Sequence, residues 1–344
     1  MKRFVLLCII LLIAVSLFSL IRYDKGHNTP VYKQQRVLMG TLFELTVLKR
    51  GLSQEKAVAA IESAFAEVKR LEQQMSERVP DSPIALAARY AGVRPVTVTD
   101  EILDVIEKSF TISEQTGGVF DISFKPLGRL WDVMNRKEPP DDAQIKELLD
   151  LVNYTNILLD PVRKTIYLKK PGMAIGLGAI AKGYAVSRAA EKIVEAGITN
   201  FIVNAGGDLY FSGNRDGEPW SCGIQDPDKN ADVLLRLKIK SDCAVVTSGD
   251  YERFFMFKGR KYHHIIDPRT GYPGTGTKSV TVFAKDATVA DAYATSFFLL
   301  GYDKSLELIN THKDVAFIMI DEKGHILEGG RVASFADCIT PDTP

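Results

Sequence analysis

Residues 174–184 read AIGLGAIAKGY, and the architecture turns on what that glycine run is. Gly176-Leu177-Gly178-Ala179-Ile180-Ala181 matches the dinucleotide fingerprint G-x-G-x-x-A, which would seat a pyrophosphate on a helix N-terminus in a doubly wound sheet. The surroundings argue against that. The preceding strand is short and begins at Pro171-Gly172, the run lies in mid-chain, and the next strand, FIVN, ends in Asn204 where a ribose-binding acid belongs. A P-loop fits worse, because Lys182 precedes Gly183 where that motif needs Gly-Lys-Ser/Thr. The plain alternative is that the glycines allow tight strand-to-helix packing.

Outward from the run, strands and helices interleave. On the N-terminal side, RVLMGTLFELTVLK (36–49) alternates as a strand, and Ser53 caps a long amphipathic helix through Met75, with Val58, Ile61, Phe65, Val68 and Leu71 at helical spacing. A second helix spans 100–116 and breaks at Gly117-Gly118. GGVFDISFKPLGRLW reads as a loop, followed by a helix near 141–150 and short strands near 156 and 165. A helix over 180–196 leads to strands NFIVN, DLYFSG and VLLRLKIK, then RFFMFKGRKYHHII with Lys258-Gly259 as a hairpin turn. Strand 279–283, helices 287–300 and 303–310, and strand 315–320 close the pattern. This order predicts a mixed α/β core.

The chain's 344 residues suffice for one large domain or two lobes. Lysine plus arginine and aspartate plus glutamate both total 43, which excludes a broadly basic nucleic-acid binder. The first 21 residues differ: Lys2 and Arg3 precede an uncharged, largely apolar run, Phe4 to Ile21, at the lower limit for crossing a bilayer. No Ala-x-Ala pattern closes it, and Cys8 lacks the small preceding residues of a lipoprotein site. The run predicts an uncleaved anchor over 1–21, a polar linker over 22–35 and a folded domain over 36–340. Lys2 and Arg3 keep the N-terminus cytoplasmic and the domain outside, as a single-pass protein of the cell membrane. Cys222, Cys243 and Cys338 are too few and too scattered for a disulfide framework or zinc site.

Several stretches can carry chemistry. Asp291 and Thr295 stand four apart in a helical segment, hence on one face. They offer two hard oxygens to Mg²⁺, or else a first-turn acid favoured by the helix dipole and a packing residue. His263 and His264 end a strand before DPRTGYP, and alternation lets only one face a site, as a base or phosphate contact or simply hydrogen-bonded at a sheet edge. VNAGGDLY and VTSGDYERF each run from strand into glycine and aspartate, suited to a ligand or a turn. Phe120 and Asp121 can meet a hydroxylated aromatic ligand, or pack and cap.

Taken together and in order, MGT at 39, GGVFDISFKPL at 117, GLGAIAKGYAV at 176, NAGGD at 204, SGDYER at 248, HIIDPRTGYP at 264 and ADAYAT at 290 resemble the ApbE family of FAD:protein FMN transferases. The resemblance implies a T-fold-like mixed α/β domain that binds FAD with Mg²⁺, moves FMN through a phosphoester onto a Thr or Ser of a target protein, and releases AMP. Carried over by motif, it implies FAD contacts from Met39, Val119, Phe120, Asp121, Gly176, Lys182 and His264. The metal would be held by the Ala179 carbonyl with Asp291 and Thr295. Lys182 and Asp291 would serve catalysis, and His264 would take the acceptor hydroxyl's proton. The partners implied are flavin-acceptor subunits of redox complexes, such as ion-pumping NADH oxidoreductases. Two residues depart from the pattern: Gly176 stands where family members usually carry an acid, and Arg78 replaces an aromatic near the flavin, where a guanidinium can also stack. Two other readings accompany this one, an FAD pyrophosphatase giving FMN and AMP, and a non-catalytic flavin-binding surface protein.

Overall fold

A computed structural model describes residues 30–229 and 232–339. The anchor expected over 1–21 and most of the linker lie outside the described residues. Among the described residues, no helix is long and apolar enough to cross a membrane.

The frame is one eight-stranded sheet. Its spatial order is Val31–Leu38, Thr41–Leu48, Phe201–Ala205, Asp208–Ser212, Cys243–Gly249, Thr277–Ala284, Val315–Asp321, Ile326–Gly329. Every neighbouring pair is antiparallel, so the doubly wound alternative is excluded and the interleaved helices return the chain to an antiparallel sheet.

Both faces of the sheet are covered, and side-chain alternation assigns each residue to a face. Ala244, Val246, Val280, Val282, Phe317 and Met319 join the core built with three helices, Gln54–Met75, Ala181–Glu195 and Ala287–Leu300. Their alternates Cys243, Val245, Phe283, Ala316, Ile318 and Ile320 pack on the opposite side with Trp220, Leu235 and Leu237, under a small sheet ordered Ala336–Ile339, Val233–Ile239, Ser221–Gln225. Burial on both faces is why residues 315–320 are apolar without a break. A third cluster, with Leu127, Trp131, Ile145, Phe255 and Ile266, supports the hairpin Phe254–Phe257 and Arg260–His263.

Most expected elements are found, with the Ser53 hydroxyl accepting from the Lys56 N–H at 3.2 Å and Lys258 (φ 48°) with Gly259 (φ 78°) turning the hairpin. Other expectations need correction. Residues 36–49 are not one strand: Met39 (φ 50°) and Gly40 (φ 74°) form a two-residue turn between two strands, and the first begins at Val31, inside the stretch read as linker. Two left-handed residues in succession suit the twist of a hairpin. The loop read at 117–131 holds a 3₁₀ turn, Ile122–Phe124, and a helix, Lys125–Trp131. The helix Pro83–Arg89 and the strands Ser221–Gln225, Ile326–Gly329 and Ala336–Ile339 were not anticipated.

Two helices approach closely at Gly183. A Cβ there would lie 2.1 Å from the Ala287 carbonyl oxygen and 2.7 Å from the Asp291 Cβ. One turn on, the Ser187 hydroxyl donates to Asp286 Oδ1 at 2.9 Å and accepts from the Ala287 N–H at 3.1 Å, so the crossing is pinned twice. Gly183→Ala should therefore lower stability by roughly 1–3 kcal/mol, the usual range for overpacking against backbone. Urea denaturation measures it, and an unshifted midpoint would show that the helices separate freely.

Candidate functional site

The crossing also shapes a site. The helix Ala181–Glu195 begins without a side-chain cap of its own. Instead Asp291, from the facing helix, accepts the Gly183 N–H at Oδ2, 2.9 Å away, placing a carboxylate at a helix N-terminus where the dipole favours it. Gly183 is in the first turn, where backbone N–H groups have no intrahelical partner, and Ala179 lies just before the N-cap, Ile180, so its carbonyl stands outside the ladder, which starts with the Tyr184 N–H bonding to the Ile180 carbonyl.

Lys182 leaves the same turn and is held by two acids. Its ammonium pairs with Asp208 and lies 3.8 Å from Asp291 Oδ1. Asp208 enters the sheet from the turn at Gly206 (φ 64°) and Gly207 (φ 108°). Burial alone would lower the Lys182 pKa, but the two carboxylates outweigh it and hold the ammonium above its ordinary value. Burial raises the Asp208 pKa against the opposing pull of Lys182. Burial also pushes Asp291 up to about 7, opposed by Lys182 and reinforced by Asp208. Two carboxylates around one ammonium leave an excess of negative charge, the setting in which a further cation is welcome.

The donor set suits a hard cation. Asp291 Oδ1 lies 3.8 Å from the Lys182 ammonium, the Ala179 carbonyl lies just before the helix N-cap, outside the ladder, and the half-buried Thr295 hydroxyl, one turn beyond Asp291, touches Ser248 Oγ at 3.3 Å. These are oxygens, the ligands Mg²⁺ selects, and few enough to leave it water and substrate positions.

The two histidines divide as alternation requires. His263 is spent on structure: Nε2 donates to the Gly274 carbonyl at 2.9 Å, Nδ1 faces the Ile265 N–H at 3.3 Å, and its ring meets Phe298 edge-on. His264 is different. Its Nδ1 is buried without a hydrogen-bond partner among the described residues. Burial, then the charge of Arg253, lowers its pKa to about 3, and Lys182 adds to the effect. The imidazole is thus neutral and shares the field of the Lys182 cluster.

The remaining expected contacts are less direct. Asp121 is committed: Oδ1 accepts from the Ser123 N–H and hydroxyl at 2.7 and 2.6 Å, and Oδ2 from the Tyr154 N–H at 2.9 Å. Val119 and Phe120 are buried. A ligand would meet this stretch through backbone, with Asp121 fixing its shape. Met39 sits in the first hairpin turn, its N–H donating to Glu72 Oε1 at 2.8 Å, and a Cβ on Gly40 would lie 3.8 Å from Arg78 Nη1. Beside Gly176, a Cβ would lie 3.1 Å from both Lys125 Cδ and Phe124 Cε1. Lys125 is paired with Glu77 at 2.5 Å, which brings an acid into this neighbourhood from another segment. Asp208 and Ser248 were not singled out by sequence, although the strand-glycine-aspartate pattern at 204–208 and 247–252 marked their segments.

Comparison with known proteins points to one family. A model of the ApbE family matches residues 39–319. An FAD:protein FMN transferase of Treponema pallidum is 32% identical over 310 residues, covering 85% of each chain, and one of Klebsiella pneumoniae is 30% identical, covering 86% of this chain and 91% of its own. Among solved structures, an ApbE protein of Thermotoga maritima superposes with a TM-score of 0.80 at 31% identity over 89% of this chain and 99% of its own. The flavin transferase ApbE of Vibrio cholerae does so with a TM-score of 0.78 at 25% identity, over 89% and 100%.

The raised carboxyls predict a pH dependence. A carboxyl whose pKa rises on folding keeps a proton that the unfolded chain releases, so native stability falls as pH climbs from the ordinary carboxylate range through about 7, and the loss is complete above it. In chelator, the melting temperature should fall between about pH 5 and about pH 8, and Asp291→Asn should flatten that slope. Equal slopes in parent and variant would show that Asp291 titrates normally.

Proposed function

The chain belongs to the ApbE family, and from that premise we propose that it is an FAD:protein FMN transferase, dependent on Mg²⁺, that attaches FMN to a Thr or Ser of a partner protein. The observation that carries the reading is Lys182 held between Asp208 and Asp291 at one helix start, with a buried His264 Nδ1 left without a hydrogen-bond partner among the described residues. The phosphates at issue for the glycine run are those of FAD.

The chemistry asked of the protein is positioning and charge neutralisation. The acceptor hydroxyl oxygen bonds to the FMN phosphorus, the bond from that phosphorus to the bridging oxygen breaks, and AMP departs with the electron pair. A Mg²⁺ held by the Ala179 carbonyl, Asp291 and Thr295 would supply Lewis-acid charge neutralisation at the pyrophosphate. Lys182 adds a fixed ammonium to the same region. Asp208 and Asp291 keep that ammonium charged and in place.

His264 receives the hydroxyl proton. Its low pKa without substrate keeps it neutral and able to accept, and phosphate charge brought beside it raises its basicity. Gly183, by sending its N–H to Asp291, fixes the rotamer of that carboxylate. The acidic side chain that the resemblance leads one to expect at Gly176 is absent, and the stem of Lys125, whose ammonium pairs with Glu77, lies beside it with Phe124.

The run Phe4–Ile21 behind Lys2 and Arg3 supports a membrane anchor with the domain outside the cytoplasm. There the partners would be exported flavin-acceptor subunits of redox complexes.

Incubation of the soluble part with FAD, Mg²⁺ and an acceptor domain carrying the Thr should add FMN mass to that domain and release AMP. Asp291→Ala should abolish the labelling, as should chelation of the metal. His264→Ala should slow it by roughly 10²–10⁴, the usual contribution of a positioned base, while FAD still binds. FMN and AMP formed without protein labelling would identify a pyrophosphatase instead.

A further inference from the structure

A hydroxyl inside a helix has a default partner. Its proton goes back to the carbonyl three or four residues earlier, because that acceptor is within reach of the side chain. This chain follows the rule repeatedly. In the helix Asp100–Gln115, Ser109 donates to the Val105 carbonyl at 2.7 Å, Thr111 to Glu107 at 3.1 Å and Ser113 to Ser109 at 2.8 Å. In the helix Ala287–Leu300, Ser296 donates to the Ala292 carbonyl at 2.7 Å.

Thr295, one residue earlier, does not. Among the described residues its hydroxyl has one hydrogen-bond partner, Ser248 Oγ at 3.3 Å. The helix runs unbroken through both residues, so the difference lies in what faces the side chain rather than in the backbone.

Ser248 belongs to the strand Cys243–Gly249. It follows Ala244 and Val246 at two-residue spacing, which puts it on the face of the sheet that meets the helices. That row is apolar until Ser248 ends it. A polar group aimed at a packed face needs a partner, and among the described residues Thr295 is the one it has. The strand is a firm mount. Ser248 is registered against Val280, the adjacent Thr247 and Thr281 hydroxyls lie 2.8 Å apart, and beyond the strand the Asp250 N–H still donates to the Lys278 carbonyl at 3.0 Å.

A hydroxyl has one proton and two lone pairs. With its proton given to Ser248, the Thr295 oxygen keeps both lone pairs for another partner. Geometry permits either hydroxyl to donate, and a cation at the Thr295 oxygen makes that O–H the better donor. At 3.3 Å the contact is long for O–H···O, so its effect is direction more than strength.

We propose that Ser248 is a positioning residue for cation binding: it takes the Thr295 proton, keeps that hydroxyl from bonding back along its own helix, and so presents the oxygen on the Asp291 face. The inference rests on the metal reading of the transferase site and adds to it a residue that touches neither cation nor FAD.

The test measures Mg²⁺ binding to the full chain by calorimetry, with and without FAD, and needs no acceptor. Ser248→Val should raise the Mg²⁺ dissociation constant about tenfold, the low end of the range for residues that orient a metal ligand. Ser248→Thr has the same shape with the hydroxyl kept, and should stay within about twofold of the parent. Thr295→Val should lose at least as much as Ser248→Val, and the two together should lose no more than Thr295→Val alone, because the serine acts only through that hydroxyl. Ser296→Ala breaks an ordinary back-bond and should leave Mg²⁺ affinity unchanged. FAD affinity in chelator, read by flavin fluorescence, should be the same in the parent and Ser248→Val. Melting in chelator shows that each variant is folded, and Ser248→Ala repeats the deletion with a smaller residue. Unchanged Mg²⁺ affinity in folded Ser248→Val and Ser248→Ala would overturn the proposal. So would additive losses in the double variant, or weaker FAD binding in chelator, which would put Ser248 on the nucleotide itself. A parent that binds no Mg²⁺, with or without FAD, would overturn the metal reading and the proposal together, whereas Mg²⁺ binding without FMN transfer to any acceptor would remove the transferase reading alone.

Discussion

The structure depends on how closely two helices approach at Gly183. No side chain fits there: a single Cβ would meet the Ala287 carbonyl oxygen at 2.1 Å. The approach lets Asp291 reach the Gly183 N–H, an orphan donor in the first turn of the opposite helix. One steric condition thus creates the packing and aims the carboxylate. At Gly183 the glycine run serves helix-to-helix packing rather than the strand-to-helix packing expected of it.

Much of this was legible beforehand, for identifiable reasons. Gln54–Met75 and Ala287–Leu300 were readable because long helices repeat their pattern often enough to stand above noise. The Lys258-Gly259 turn was readable from residue type, since consecutive left-handed positions suit few dipeptides. Met39-Gly40 needs the same geometry but was missed, because methionine does not advertise it. Strands such as Ser221–Gln225 and Ala336–Ile339 are too short to show a period. Asp291 and Thr295 were marked by their four-residue spacing and His264 by its place at a strand end, Lys182 came from the resemblance, and the structure sets Asp291 beside Lys182 and Gly183. Alternation alone predicted that one histidine of the pair would face the site, and the bonds of His263 show which one does not. Asp208 escaped because its role is electrostatic and depends on chain segments far apart in sequence.

The site is unfavourable for folding. Burial raises the Asp208 and Asp291 pKa values against the pull of Lys182. Buried charge of this kind clusters at functional sites.

The sheet order has a consequence for how the chain comes together. Thr41–Leu48 lies between its hairpin neighbour and Phe201–Ala205, a partner more than 150 residues downstream by number. A chain emerging from its N-terminus offers a hairpin with one edge of Thr41–Leu48 unpaired until that distant segment appears. Completion of the main sheet therefore waits on synthesis, and in the interval that open edge is a template for pairing with other chains.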